Sequence, residues 1–267
     1  MICLSCDIHH SSLKLSYNRY SDKSELQVTQ QLIKLLEKYN VKATMFSTGK
    51  CFTEEWEDMR PISEHPLVEI GGHNYFCFKP ELFHKVWNKA FNNFNGPWLV
   101  QHYDASKLIN TVKDKTGVKI ASWRNHRYKH GPNTDKILSR LGIKICSDEV
   151  SASATGPYSK NGIHHFPVNI IPDYDHIYHA NRTEEWVNWY VNSGSKIDDF
   201  GPESYKIDEW TEIVLKQLQE RIENKSIANI LIHPITQYIS DRFAGLEEIL
   251  KFISTDENCK YSELPLE

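Results

Sequence analysis

The sequence predicts an α/β protein, a parallel sheet wrapped by helices in one domain over residues 1–267, on three observations. Short strand-like runs alternate with windows of helical periodicity along most of the chain, the pattern that builds strand–helix–strand units. The length of 267 residues suits one α/β barrel, which routinely occupies roughly 200–250 residues or more. Ionisable residues recur just past the predicted strands, where parallel barrels assemble their sites from several loops.

The elements follow in order. Residues 2–6 are an apolar run that reads as a buried strand. Ser24 opens a helix, with Gln27 three positions on completing a capping box, and Leu26, Thr29, Ile33 and Leu36 hold one face. Residues 42–46 and 67–70 are the next strands. A helix begins at Asp104 and stops at Gly117, and Val118 to Trp123 reads as strand. Asn133 opens a short helix ended by Gly142, before a strand from Ile143 to Cys146. Ile207, Trp210, Val214, Leu218 and Ile222 form the longest amphipathic stripe, Ile227 to Ile232 is a strongly apolar strand, and Phe243 to Ser254 is a helix.

Composition narrows the class. Hydrophobic residues make up 40% of the chain, enough for a sizeable core. Lys+Arg 31 against Asp+Glu 35 gives a net charge of −4, with both signs scattered, so neither nucleic acid nor a membrane surface is favoured as partner. No apolar window approaches the ~18 residues of a membrane span. The start of the chain lacks the basic and apolar regions of a signal peptide, so a cytoplasmic location is expected. Six cysteines are too few for a disulfide-built scaffold, and Cys3 and Cys6 sit in a strand with no second pair to complete a zinc knuckle.

Beyond the strands lie Asp7 with His9 and His10, then Gly49, Gly71-Gly72-His73, Arg124, Asp148 and His233. Ser122-Trp123-Arg124-Asn125-His126-Arg127-Tyr128, continuing through Gly131-Pro132-Asn133-Thr134-Asp135, resembles the arginine motif of the NodB-type polysaccharide deacetylases, carbohydrate esterase family four. Ile230-Leu231-Ile232-His233-Pro234 is similar to that family's leucine–histidine motif. Leu4-Ser5-Cys6-Asp7-Ile8-His9 is similar to its aspartate motif, Ala43 to Gly49 to its second strand, and Glu69-Ile70-Gly71-Gly72-His73-Asn74-Tyr75 to its histidine motif. The likeness runs from residue 2 to about residue 253 in the family's order.

The resemblance implies a distorted (β/α) barrel of about seven parallel strands and removal of an N-acetyl group from a sugar or polysaccharide precursor during surface-polysaccharide synthesis. It implies a divalent metal, commonly zinc, with Asp7 as general base, Arg124 as its orienting partner and His233 as general acid. The family's metal positions fall on His9, His73 and Cys77, a departure, because His9 replaces an acid and Cys77 a histidine. Zinc accepts imidazole and thiolate, so this trio is a possible ligand set. Cys77 in Tyr75-Phe76-Cys77-Phe78 equally suits a small buried hydrophobe, and His10 is an alternative to His9. Tyr75, Tyr128, Asp173 and Asp175 are candidate substrate contacts, with Asp173 or Asp175 alternatively meeting His233. Such residues suit amide hydrolysis, which needs an activated water, oxyanion stabilisation and a proton for the leaving amine.

Two other readings stay open: a metal-free pseudoenzyme that binds carbohydrate, and a metal-independent cyclic-amide hydrolase. Phe83, Trp87, Phe91, Phe94 and Trp98 read as a helix stripe packed on the barrel or as a face for sugar stacking. Residues 149–182 read as an irregular loop with surface histidines, and Asp148 as a strand end. No Walker loop, dinucleotide-binding glycine motif, G-x-S-x-G or H-E-x-x-H occurs.

Overall fold

The structure, a computed structural model, describes residues 1–193 and 198–266. Its centre is one curled sheet of strands β1 (Ile2–Ile8), β2 (Ala43–Ser47), β3 (Val68–Gly72), β4 (Ser122–Trp123), β5 (Ile145–Cys146), β6 (Tyr158–Lys160), β7 (Ile163–His165) and β8 (Ala228–Ile232). The order is β6-β7-β5-β4-β3-β2-β1-β8, parallel throughout except for β6 against β7. Seven strands are therefore parallel, as the distorted (β/α) barrel requires. The segment after β7 meets β8 through isolated bonds rather than a ladder: Asn169 N–H donates to Asn229 O (3.2 Å) and Asn229 N–H to Asn169 Oδ1 (2.8 Å).

Helices α1 (Glu25–Tyr39), α2 (Cys51–Glu54), α3 (Trp56–Ser63), α4 (Glu81–Phe91), α5 (Trp98–Thr116), α6 (Thr134–Arg140), α7 (Glu184–Asn192), α8 (Ile207–Glu223), α9 (Pro234–Asp241) and α10 (Ala244–Ile253) complete the chain. The capping box forms: Gln27 N–H donates to Ser24 Oγ and Ser24 N–H to Gln27 Oε1. Leu26, Thr29, Ile33 and Leu36 are all buried in α1.

Side-chain alternation divides the strands. Leu4, Cys6 and Ile8 of β1 join the large core under the helices. Cys3 faces the other way, into a small apolar cluster with Phe46, Ile145, Phe166, Cys259, Tyr261 and Leu264. That cluster fills the barrel interior, and three of its members come from the segment after α10, which sequence periodicity did not mark as structured. Ser5 and Asp7 share the face of Cys3, so β1 carries its reactive carboxylate inward.

Several expectations change. The helix expected to begin at Asp104 starts at Trp98, because the Asp104 carboxylate is spent elsewhere, accepting from Tyr75 N–H (3.0 Å), Phe76 N–H (2.9 Å) and Asn74 Nδ2 (3.0 Å). The strand expected over 118–123 shrinks to Ser122–Trp123. Residues 149–182 hold a hairpin, β6–β7, turning at Asn161-Gly162 with φ of 54° and 77°, the left-handed pair of a type I′ turn. His165, His176 and His179 there are buried, not surface residues. The stripe on α4 does not pack on the barrel core. Phe83, Trp87 and Phe91 stack on one another, and Phe91 is 62% exposed.

Gly71 faces the interior, where an added Cβ would lie 2.5 Å from the Phe46 ring. Gly71→Ala is expected to lower the unfolding free energy by about 1–3 kcal/mol, the cost of overpacking a filled interior, as measured by urea denaturation.

Candidate active site

Arg124 follows β4 and is fully buried. Its Nη1 donates to Asp7 Oδ1 (2.9 Å), Nε to Ser147 O (3.0 Å), and Nη2 lies 3.0 Å from Ser5 Oγ, 2.8 Å from Ser147 Oγ and 3.0 Å from the Tyr261 hydroxyl. The Phe46 ring lies 4.4 Å from its guanidinium carbon. A charge taken out of water at this depth needs such a full complement of acceptors. Burial pushes the Asp7 carboxyl up, but His73, Arg124 and His233 outweigh it and hold the pKa at about 2. Since His73 is itself neutral above about pH 4, the Arg124 guanidinium and the charged His233 ring are the partners that keep Asp7 ionised at neutral pH.

The free oxygen of Asp7, Oδ2, lies 3.7 Å from His73 Nε2 and 4.0 Å from His233 Nε2. His233 follows β8 as the N-cap of α9. Its N–H donates to Asp173 Oδ2 (2.7 Å), its Nδ1 lies 2.8 Å from Asp173 Oδ1, and Gln237 Nε2 also donates to that carboxylate (3.0 Å). Burial alone would lower the His233 pKa. Asp173 and Asp7 reverse this and raise it to about 9, so the ring is an imidazolium with Nε2 aimed at the cavity.

Three other imidazoles form a triangle. His9 and His73 have ring centroids 5.1 Å apart, His9 and His126 5.1 Å, and His73 and His126 5.3 Å. One nitrogen from each lies within 4.8 Å of the others. His73 Nδ1 donates to Arg124 O (2.8 Å), and His9 Nδ1 bonds Glu25 Oε1 (3.0 Å), which also accepts from His9 N–H (2.9 Å). These bonds occupy Nδ1 of both rings, the carboxylate– or carbonyl–histidine support usual behind metal ligands. Burial lowers the pKa of His73 to about 4 and that of His126 well below its ordinary value. Three clustered imidazoles, with His126 Nδ1 only 3.3 Å from His73 Nε2, suit a divalent cation, zinc above all, whose ligand sets draw on imidazole.

A cavity of about 470 Å³ opens over these groups, lined by Asp7, His9, His73, His126, Tyr128 and His233 among others; its size falls in the ~300–1,000 Å³ range of small-molecule clefts. The structure thus brings Asp7, Arg124, His233, His9 and His73 together. It leaves Cys77 out. That sulfur sits against His73 O (3.8 Å) and is buried, and its residue has left-handed backbone with φ 50°, so His126, not Cys77, completes the imidazole group. His10 turns away to Thr48 Oγ1 (2.8 Å). Asp175 reaches the cavity, whereas Asp173 lies beneath His233. Tyr75 packs over Gly49 and bonds Thr53 outside it. Asp148 accepts from Asn125 and His130, and with His130 and Cys146 makes a second close group whose carboxylate is already occupied.

His126 lies within the arginine-motif segment, where nothing local in the sequence marks it as a partner of His9 and His73. Glu25, Ser147, Gln237 and Tyr261 carried no signal, since each acts through a side chain brought from a distant element.

Comparison with known proteins follows this geometry. The sequence signature of the polysaccharide deacetylase family matches residues 15–145. No curated protein matches the chain. Among solved structures, a protein assigned to polysaccharide deacetylases from Mycobacterium smegmatis is 16% identical, with 97% of this chain and 85% of that one covered and a TM-score of 0.69. Puue allantoinase is 13% identical, with 98% and 88% covered and a TM-score of 0.66. A CE4 family pseudoenzyme from Bacillus anthracis is 13% identical, with 99% and 64% covered and a TM-score of 0.53. At these identities the likeness is one of fold.

In protein freed of metal, the His233 ring is expected to titrate near pH 9 by NMR, and Asp173→Asn to bring it toward the ordinary 6.5. Because the folded pKa is raised, the pair's stabilisation is complete below about pH 6.5 and lost as pH rises through about 9. An unshifted midpoint in the variant would remove Asp173 as the cause.

Proposed function

We propose that this chain, whose residues 15–145 carry the polysaccharide deacetylase signature, is a member of that family and a hydrolase that removes an N-acetyl group from a sugar or polysaccharide precursor. The single observation that carries this reading is the meeting of an ionised carboxylate and a protonated imidazole, Asp7 Oδ2 and His233 Nε2, 4.0 Å apart on one cavity wall beside a cluster of three further imidazoles.

Asp7 Oδ2 takes the proton of the attacking water, while Arg124 holds Oδ1 and so fixes which oxygen is free. His233 Nε2 delivers a proton to the leaving nitrogen, and Asp173 keeps that ring charged and oriented. His9, His73 and His126 would hold the divalent cation, with Glu25 and Arg124 O fixing two of the rings. Bound there, a cation such as zinc supplies Lewis-acid polarisation of the acetyl oxygen and favours ionisation of water. Tyr128 and Asp175 on the cavity wall supply surface and polarity for the sugar.

The replacements at positions 9 and 77 favour a pseudoenzyme only if they leave the donor set short. His126 makes up the number, which supports the catalytic reading. Cys77 belongs to the packing behind the site, where a small apolar side chain suffices.

Two outcomes test this. Zinc bound by the purified protein, read by elemental analysis, should be lost in His73→Ala and His126→Ala and kept in Cys77→Ala; retention in His126→Ala would break the proposed ligand set. Asp7→Asn should cut acetate release from N-acetylated sugars by about 10²–10⁴-fold while keeping zinc. Absence of acetate release from wild-type protein carrying zinc, with ring opening of a cyclic amide in its place, would overturn the deacetylase reading.

A further inference from the structure

We propose that Cys3 and Cys259 are a disulfide-forming pair, and that the bond fastens the segment after α10 beneath Arg124. Residues 256–264 run along the start of β1. Ile2 N–H donates to Glu257 O (2.8 Å), Cys259 N–H donates to Ile2 O (3.1 Å), and Ile2 pairs with Asn258 in a parallel bridge. This pairing sets Cys3 and Cys259 side by side, with their sulfurs 3.2 Å apart and both residues buried. An S–S bond needs about 2.05 Å, so a shift of little more than one ångström joins them. The other four cysteines have other neighbours: Cys51 Sγ lies on Thr48 Oγ1, Cys77 Sγ on His73 O, Cys146 Sγ beside His130 and Asp148, and Cys6 faces the large core under the helices.

What the bond would secure is specific. Two residues after Cys259, Tyr261 N–H donates to Thr44 Oγ1 (3.0 Å), and its hydroxyl donates to Asn229 Oδ1 (2.7 Å) while lying 3.0 Å from Arg124 Nη2. Phe46 packs edge-on to the Tyr261 ring at 5.2 Å and also lies under the guanidinium. The segment that carries the cysteine therefore supplies one acceptor and one wall of the arginine's enclosure.

The chemistry is thiol–disulfide exchange with a small-molecule disulfide, oxidised glutathione. The Cys259 thiolate attacks one glutathione sulfur, forming a mixed disulfide and releasing one glutathione thiolate. The Cys3 thiolate then attacks Cys259 Sγ and expels the second. The protein loses two hydrogens, both protons pass to the released glutathione thiolates, and the two electrons lost by the cysteines reduce the glutathione disulfide. Cys259 is the attacking partner because it is the more accessible of the two, 5% exposed against 0% for Cys3, and the hydrogen bond from the Cys3 thiol lowers its pKa.

The test uses the full chain incubated with oxidised glutathione, then peptide mapping without reductant. The expected result is one cross-linked peptide joining Cys3 and Cys259. Thermal unfolding should move up by about 4–10 °C, return with dithiothreitol and stay unmoved in Cys259→Ser, which alters the later segment alone should Cys3→Ser fail to fold. Fully reduced cysteines, glutathione retained on either sulfur without a cross-link, or a cross-link to any other cysteine would overturn the proposal. Each readout is independent of catalytic activity.

Discussion

The structure turns on a guanidinium buried where no water reaches it. Arg124 sits inside a curled sheet, so each of its donors must find a partner on another strand or the charge could not be kept there. The partners come from β1 through Ser5 and Asp7, from the residue just past β5 through Ser147, and from the segment after α10 through Tyr261. One side chain thus ties β4 to β1 and to the segment after α10, 117 and 137 residues away in sequence, as well as to Ser147, 23 residues on. The same bonds fix the rotamer of Asp7 and leave one of its oxygens facing the cavity. Stability and chemistry share this group, and removing either member of the ion pair would leave the other charge buried and uncompensated.

Around that pair, four histidines divide into two kinds by what lies behind them. His73 has a main-chain carbonyl behind it, and His126 is buried against the rings of His9 and His73, so desolvation wins and both are neutral lone-pair donors. His9 is set by the Glu25 carboxylate, which fixes which of its nitrogens faces the others. His233 has a wholly buried carboxylate at its Nδ1 and a second carboxylate facing its Nε2, so the charged form wins. A proton donor and a set of lone-pair donors therefore coexist within one cavity without exchanging roles, which metal-assisted hydrolysis of an amide demands.

The legible parts of the sequence were those whose signal is local. The capping box at Ser24, the buried face of α1 and the apolar run of β8 needed only neighbours a few residues away, and each appears where the pattern puts it. Asp104 misled for an instructive reason. A carboxylate before a helical window reads as a cap, yet here three donors of the Asn74–Phe76 loop compete for it and win. The β6–β7 hairpin went unread although Asn161-Gly162 is a strong turn dipeptide, because its strands are three residues each and too short to show alternation.

By itself the sequence determined the class of fold and the strand ends that carry ionisable groups, Asp7, Arg124 and His233 among them, because order along the chain and strand alternation are properties of the chain alone. Tertiary structure decided which donors converge. His126 rather than Cys77 joins His9 and His73, Asp173 rather than Asp175 stands behind His233, and Tyr261 rises from a segment without periodicity to meet Arg124. Proximity of that kind depends on how a sheet curls and where a loop is anchored. A left-handed turn at Cys77 or a carboxylate claimed by a distant loop changes it without altering any local pattern.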